Sequence, residues 1–275
     1  MRIDSHQHFW QLAARAGSWP PPELAPIHRD FCPEDLSALL QEHGIAATVL
    51  VQSMPNEDDT RFMLELADHH AFIGAVVGWA DLKAADAPRR IAALAAHPKL
   101  RGLRPMLQDL GDDRWIDDAA LAPAVAAMLE HGLRFDALVL PRHLPALLGF
   151  AQRYPALPVV IDHLAKPAMD DEPAAQWLND MDRLAALPNV HCKLSGMVTE
   201  AGPGWTTGQL RPYAHHILDV FGPGRVMWGS DWPVIRLAAD YGDWIRASEV
   251  LLAHLPAAQK QAVFGLNAQR FYGIG

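Results

Sequence analysis

The stretch Val159-Val160-Ile161-Asp162-His163 holds the pattern that decides the fold: three apolar β-formers without polar alternation, then two polar side chains. A strand of a parallel sheet reads this way because both of its faces are buried. With residues 159–165 as the type, seven more runs of the same kind recur at 2–8, 47–53, 72–80, 100–106, 134–140, 190–196 and 226–234. Helical patterns separate them. Pro33-Glu34-Asp35 puts proline and acids in a first turn ahead of Leu36, Leu39 and Leu40. His131-Gly132 ends the segment 118–130, and Leu144, Leu147, Leu148 and Ala151 repeat with helical spacing. Eight strand–helix units with no linker-like break predict an α/β protein, a single (β/α)8 TIM barrel over residues 1–275. An open doubly wound sheet is the alternative, but no GxGxxG follows the first strand.

Connections after the strands form the C-terminal mouth of such a barrel, where substrate pockets lie. Residues 9–32, with Trp19-Pro20-Pro21-Pro22, are too proline-rich for a helix and are expected to cover that mouth. Residues 107–117, 167–173 and 199–206 are expected as further loops on the same side.

Composition narrows the functional classes. The 275 residues hold 32 acidic and 23 basic side chains, a net charge of −9. That balance repels phosphate backbones and anionic headgroups, so neither nucleic acid nor a membrane is expected as partner. Cys32 and Cys192 form no CxxC and read as free thiols of a reducing compartment. With no basic, apolar leader at the start and no apolar run near the ~20 residues of a membrane span, the expected location is cytoplasmic. Histidine is abundant, with 14 copies.

Three strand ends give those histidines a chemistry. In His6-Gln7-His8 the two imidazoles stand two residues apart and so share one face of the first strand. The sixth run ends in Asp162-His163 and the eighth in Ser230-Asp231-Trp232. Closure of a barrel sets the first strand beside the eighth. His6, His8, His163 and Asp231 then converge as three nitrogens and a carboxylate, a donor set for one divalent metal, Zn²⁺, with room for water. The competing reading is that Asp162 and Asp231 merely cap helices. The fourth strand end, Arg104-Pro105, supplies no bridging carboxylate or lysine and the fifth, Phe135-Asp136-Ala137, no histidine, which argues against two metals. Gln7, Gln52, Trp79, Asp81, Arg104, Gln108, Asp136, Lys193 and Trp232 also sit at or just past strand ends and are the expected substrate contacts. Most of the remaining histidines are expected at the surface.

The segments IDSHQHFW, VLVQS, GWADL, LRGLRPMLQD and GSDWPV resemble the amidohydrolase superfamily, in particular its branch of sugar-lactone hydrolases. The likeness runs from residue 1 to Asn267-Ala268-Gln269-Arg270-Phe271-Tyr272. It implies a (β/α)8 barrel that opens a small-molecule lactone, such as L-fuconolactone or L-rhamnonolactone, to the hydroxy acid. By the same likeness His6 and His8 match the family's first-strand pair, His163 its later histidine and Asp231 its eighth-strand acid. Asp231 is expected to take the proton of the attacking water, with His163 assisting. Both a metal-dependent and a metal-free version fit. In the second, His163 with Arg104 or Lys193 polarises the carbonyl. The rival activity is a metal-dependent non-oxidative decarboxylation of an aromatic or unsaturated acid, and a non-catalytic binder is a third class. Monomer and homo-oligomer are equally open.

Overall fold

The computed structural model describes residues 1–15, 17–169 and 172–275. Positions 16, 170 and 171, which belong to the expected loops 9–32 and 167–173, lie outside the described residues.

Eight strands form one sheet in sequence order: β1 (Arg2–Gln7), β2 (Ile45–Val51), β3 (Ile73–Gly78), β4 (Leu100–Leu103), β5 (Arg134–Ala137), β6 (Val159–Ile161), β7 (Val190–Leu194) and β8 (Val226–Trp228). All seven neighbouring pairs are parallel. The edges meet through a parallel bridge between Gln7 and Trp232, with His8 N–H donating to Trp232 O at 2.7 Å and Asp231 N–H to His6 O at 2.8 Å. This is the (β/α)8 barrel that the repeating units predict.

Helices α1 (Pro33–His43), α2 (Glu57–His69), α3 (Ala87–Ala95), α4 (Ala122–Glu130), α5 (Leu144–Arg153), α6 (Ala175–Ala185), α7 (Met197–Ala201), α8 (Thr207–Phe221) and α9 (Tyr241–Leu251) follow the strands. Their starts obey local chemistry. Asn56 accepts from Asp59 N–H at 2.8 Å ahead of α2, and Thr206 accepts from Gln209 N–H at 3.2 Å ahead of α8. The chain finishes with α10 (Ala257–Gln261), a π turn over Ala262–Leu266 and α11 (Asn267–Tyr272).

Two apolar layers result. Leu36, Ile91, Met128, Phe150, Leu184 and Ile217 belong to the larger cluster between helices and sheet. Ile3, Val49, Val77, Val160 and Met227 form a second, closed from below by Phe271, Tyr272 and Ile274 of the C-terminal segment. Continuous apolar runs are required because these strands feed both layers.

Several boundaries differ from expectation. The strands are shorter at their C-terminal ends: β6 stops at Ile161 because His163, Leu164, Ala165 and Lys166 all take positive φ, from 51° to 63°. Run 226–234 stops at Trp228, ahead of Asp231 at φ 59°. Residues 107–117 contain two short 3₁₀ turns, residues 12–15 a third, and positions 199–201 belong to α7 rather than to a loop. Segment 118–130 begins as a 3₁₀ turn and becomes α4 only at Ala122.

Candidate active site

Four side chains converge where β1 closes onto β8. His8 Nδ1 lies 2.7 Å from the carbonyl oxygen of Val51, an acceptor only, so that nitrogen carries a proton. Nε2 faces His6 Nε2 at 3.2 Å and Asp231 Oδ1 at 3.3 Å. His6 Nε2 and His163 Nε2 each lie 3.8 Å from the same Oδ1. His6, His163 and Asp231 together present ligand atoms within 4.8 Å of one another. Neither acid caps a helix with its side chain.

This donor set suits a metal. Ligands about 2.0–2.1 Å from a tetrahedral Zn²⁺ stand roughly 3.3 Å apart. The Nε2 atoms of His6, His8 and His163 lie 3.3–3.8 Å from Asp231 Oδ1. His8 stands at the edge, outside the group of three whose ligand atoms are all mutually close. A hydrogen-bonding outer partner orients the His163 ring as metal ligands need, and charged groups lie behind His6. His163 Nδ1 pairs with Ser195 Oγ at 2.8 Å, and His6 Nδ1 lies 3.5 Å from Asp162 Oδ1. Lys193 Nζ also approaches His6 Nδ1, at 3.1 Å.

A buried charged layer supports the centre. Lys193 Nζ lies 2.6 Å from Asp136 Oδ2 and 3.0 Å from Asp162 Oδ1, and Tyr272 Oη donates to Asp136 Oδ2 at 2.6 Å. Arg104 Nη1 pairs with Asp162 Oδ2 at 3.1 Å, while Nη2 donates to Gln52 O. Burial opposes ionisation of Asp162, yet the Lys193 ammonium, the His6 ring and Arg104 hold its carboxyl well below the usual range. Burial likewise opposes ionisation of Asp231, but the imidazoles of His163, His8 and His6 hold it low. Asp231 is therefore an anion at neutral pH. Burial and then the nearby Lys193 ammonium push His6 well below its ordinary value, and burial lowers His163 to about 4. Both rings are neutral there, the form that binds metal.

The backbone around His163 is strained. Four consecutive non-glycine residues in the left-handed region cost about 1–2 kcal/mol each. Burial of Leu164 and Ala165 and a 2.9 Å hydrogen bond from Trp177 Nε1 to Leu164 O offset that cost. Gly196 packs against the ring so closely that a Cβ there would lie 2.7 Å from His163 Cγ.

A cavity of about 570 Å³ opens onto this centre, lined among others by His8, Arg104, Gln108, Lys166, His163 and Asp231. Of the expected substrate contacts, Arg104 and Gln108 line it, and Gln108 Oε1 accepts from Lys166 Nζ at 3.2 Å. The others stand elsewhere. Gln7 is fully buried on the alternate face of β1, donating to Thr48 Oγ1, because neighbouring residues on a strand point opposite ways. Gln52 donates to Arg104 O at 2.7 Å and braces that residue. Asp136 and Lys193 lie beneath the histidines, fully buried. Asp81 is exposed and accepts from Lys83 N–H, and the Trp79 backbone is pinned to Thr60. The Trp232 ring packs on Phe9 and Phe31, away from the cavity. Missed by sequence were Lys166, Thr199, Met54, Met106 and Leu138 on the cavity wall and Ser195 behind His163. None carries a spacing signal; loops and, for Thr199, the short helix α7 bring them in. Ser18 and Trp19 of the proline-rich segment also line the cavity. Among the remaining histidines, His143 is buried rather than at the surface, its Nδ1 accepting from Leu140 N–H.

Barrel, first-strand histidine pair, later histidine and eighth-strand aspartate together define an amidohydrolase, and the chain belongs to the amidohydrolase family, whose profile matches residues 3–274. More particularly, it is 55% identical to an L-fucono-1,5-lactonase of Burkholderia ambifaria, over 99% of this chain and 96% of that one. An L-fucono-1,5-lactonase of Burkholderia multivorans is 41% identical, over 100% of this chain and 96% of its own. A crystal structure of a Burkholderia multivorans amidohydrolase with bound zinc superposes with a TM-score of 0.93 at 40% identity, covering both chains completely.

Proposed function

We propose that this chain is a lactonase that opens a sugar lactone, with L-fucono-1,5-lactone as the favoured substrate, to its hydroxy acid. The observation that carries this reading is the near full-length 55% identity to a lactonase of that specificity. The polar lining of the cavity, with Gln108, Lys166, Thr199 and Ser53, supports it, since a polyhydroxylated ring needs such partners. L-Rhamnonolactone belongs to the same substrate class and is the first analogue to compare. The chain is read as one cytoplasmic domain over residues 1–275.

Nε2 of His6, His8 and His163 with Oδ1 of Asp231 would hold a divalent ion, proposed as Zn²⁺. When bound, such an ion polarises a carbonyl and makes water more acidic. The residues supply the rest. All of Asp231's contacts with the histidines run through Oδ1, and Oδ2 takes no hydrogen bond among the described residues. Oδ2 is thus available to accept the proton of a water attacking the lactone carbonyl. Arg104, fixed by Asp162 and Gln52, places a guanidinium beside the developing oxyanion. The proton on Asp231 then returns to the departing ring oxygen. Gln108 and Lys166 hold hydroxyl groups, and Trp19 from the proline-rich segment shields the ring from bulk water.

A pH-indicator screen of purified protein against aldonolactones, with and without chelator, tests the reading. Proton release is expected first with L-fucono-1,5-lactone. Absence of acid release from every lactone would overturn it.

A further inference from the structure

The opposite end of the barrel carries a second cavity of about 250 Å³, lined by Arg134, Pro158, His191, Gly224, Asn267, Arg270 and Phe271. These residues sit at the starts of β5 and β7, just before β6 and β8, and on α11, far from the mouth that holds His163. The electrostatics of this end are unusual for a chain of net charge −9. Arg101, Arg134, Arg225 and Arg270 gather there, and among the described residues none of the four guanidiniums forms an ion pair.

Their hydrogen bonds explain how like charges are held together. Arg225 gives four of its five N–H donors to the carbonyls of Phe221, Leu187, Val190 and Ala185. Arg134 donates through Nε to Phe271 O and through Nη1 to Gly132 O, which leaves Nη2. Arg270 gives one Nη2 bond, at 2.5 Å, to Asn267 Oδ1 and is otherwise exposed. His191 packs against Phe271 with ring centroids 4.7 Å apart and planes tilted by 55°, and its buried Nδ1 has no hydrogen-bond partner. Arg101 Nε is buried without a partner as well. Burial, then Arg225 and Arg270, lower His191 to about 4; burial and Arg101 lower Arg134. Tyr272 and Asp136 offset part of the Arg134 shift, and no carboxylate figures in that of His191. Gly224 has open space where a Cβ would stand.

We propose that this cavity is an anion-binding site, distinct from the catalytic centre, that takes a phosphate-type oxyanion, free or as a monoester, on Arg134, Arg270 and His191. A doubly charged oxyanion offers acceptors to guanidinium donors and to a protonated imidazole at once, which a neutral ligand does not. Binding brings a proton onto His191, so the site couples phosphate uptake to protonation of that ring.

Isothermal titration calorimetry with inorganic phosphate and with glucose 6-phosphate tests this, alongside NMR titration of His191. One saturable equivalent is expected, with Arg270→Gln weakening binding at least about tenfold, the loss of one charge-assisted hydrogen bond. Gly224→Glu, which sets a carboxylate in the open space, is expected to abolish it. Phosphate is expected to raise the His191 pKa in the unsubstituted protein only. Tighter binding of the monoester identifies an esterified ligand, and equal binding identifies the free oxyanion. The exposed position of Arg270 keeps the test valid if the Gly224→Glu protein folds poorly. Absence of saturable binding up to about 10 mM, or unweakened binding by both variants, would overturn the proposal.

Discussion

His8 Nδ1 donates to the carbonyl oxygen of Val51, 2.7 Å away on the adjacent strand, and its Nε2 is thereby turned toward Asp231 Oδ1 at 3.3 Å. One backbone carbonyl thus orients the ring at the centre. Beside it His6, His163 and Asp231 present ligand atoms within 4.8 Å of one another, a group that could hold a cation.

Chelation should lower both activity and melting temperature, and a divalent ion should restore them. A ligand present at 100 times its Kd adds about 2.7 kcal/mol to folded-state stability. His8→Ala should blunt that response. Elemental analysis with thermal melts checks it, and a melt insensitive to chelator in a metal-free protein would contradict it.

Asp231→Asn should cut kcat by about 10²–10⁴-fold with a much smaller change in KM, since the amide cannot accept the water's proton. Steady-state kinetics on the accepted lactone measure this. Full turnover by the variant would remove Asp231 from the chemistry.

Support from behind the ring is as specific. Ser195→Ala removes the 2.8 Å partner of His163 Nδ1, and loss of such a partner typically costs about 10–100-fold in metal affinity or activity. Gly196→Ala should do at least as much harm, because its Cβ would collide with His163 and its backbone sits at φ 68°. Comparing kcat/KM with chemical stability of both variants separates displacement of the ring from general unfolding.

Lys193→Met should destabilise the fold by about 3–5 kcal/mol, because Asp136 and Asp162 would lose their shared buried cation. Urea unfolding measures the loss. Adding Asp136→Asn should recover part of it, by removing one of the stranded charges.

Stability should fall as the solution is acidified from about pH 6.5 to about pH 4, in part through His191. Its folded pKa is depressed, so the unfolded chain binds the proton first across that window, and protonation favours unfolding. His191→Gln should flatten this limb of the stability curve, by on the order of 1 kcal/mol. Denaturant titrations at intervals of pH reveal the slope.

Much of the architecture was legible from residues alone. Eight apolar runs such as Val159-Val160-Ile161 reveal a two-sided parallel sheet, because every residue of such a strand meets a buried layer. The spacing of His6 and His8 put two imidazoles on one face, and the polar residues that end the sixth and eighth runs supplied His163 and Asp231. Local patterns carry these facts, so the chain states them directly. What the tertiary structure decided is which strand-end groups see the cavity. Gln7 and Trp232 share strand ends with the candidate ligands yet turn to other faces, and Gln52, Asp136 and Lys193 lie below the centre as supports. Lys166, Thr199 and Ser195 came into view only through loop paths and the left-handed turn after β6. Facing and depth in a barrel depend on tilt, on closure and on positive-φ turns, and these arise from contacts between residues far apart in sequence. Composition and spacing do not encode them.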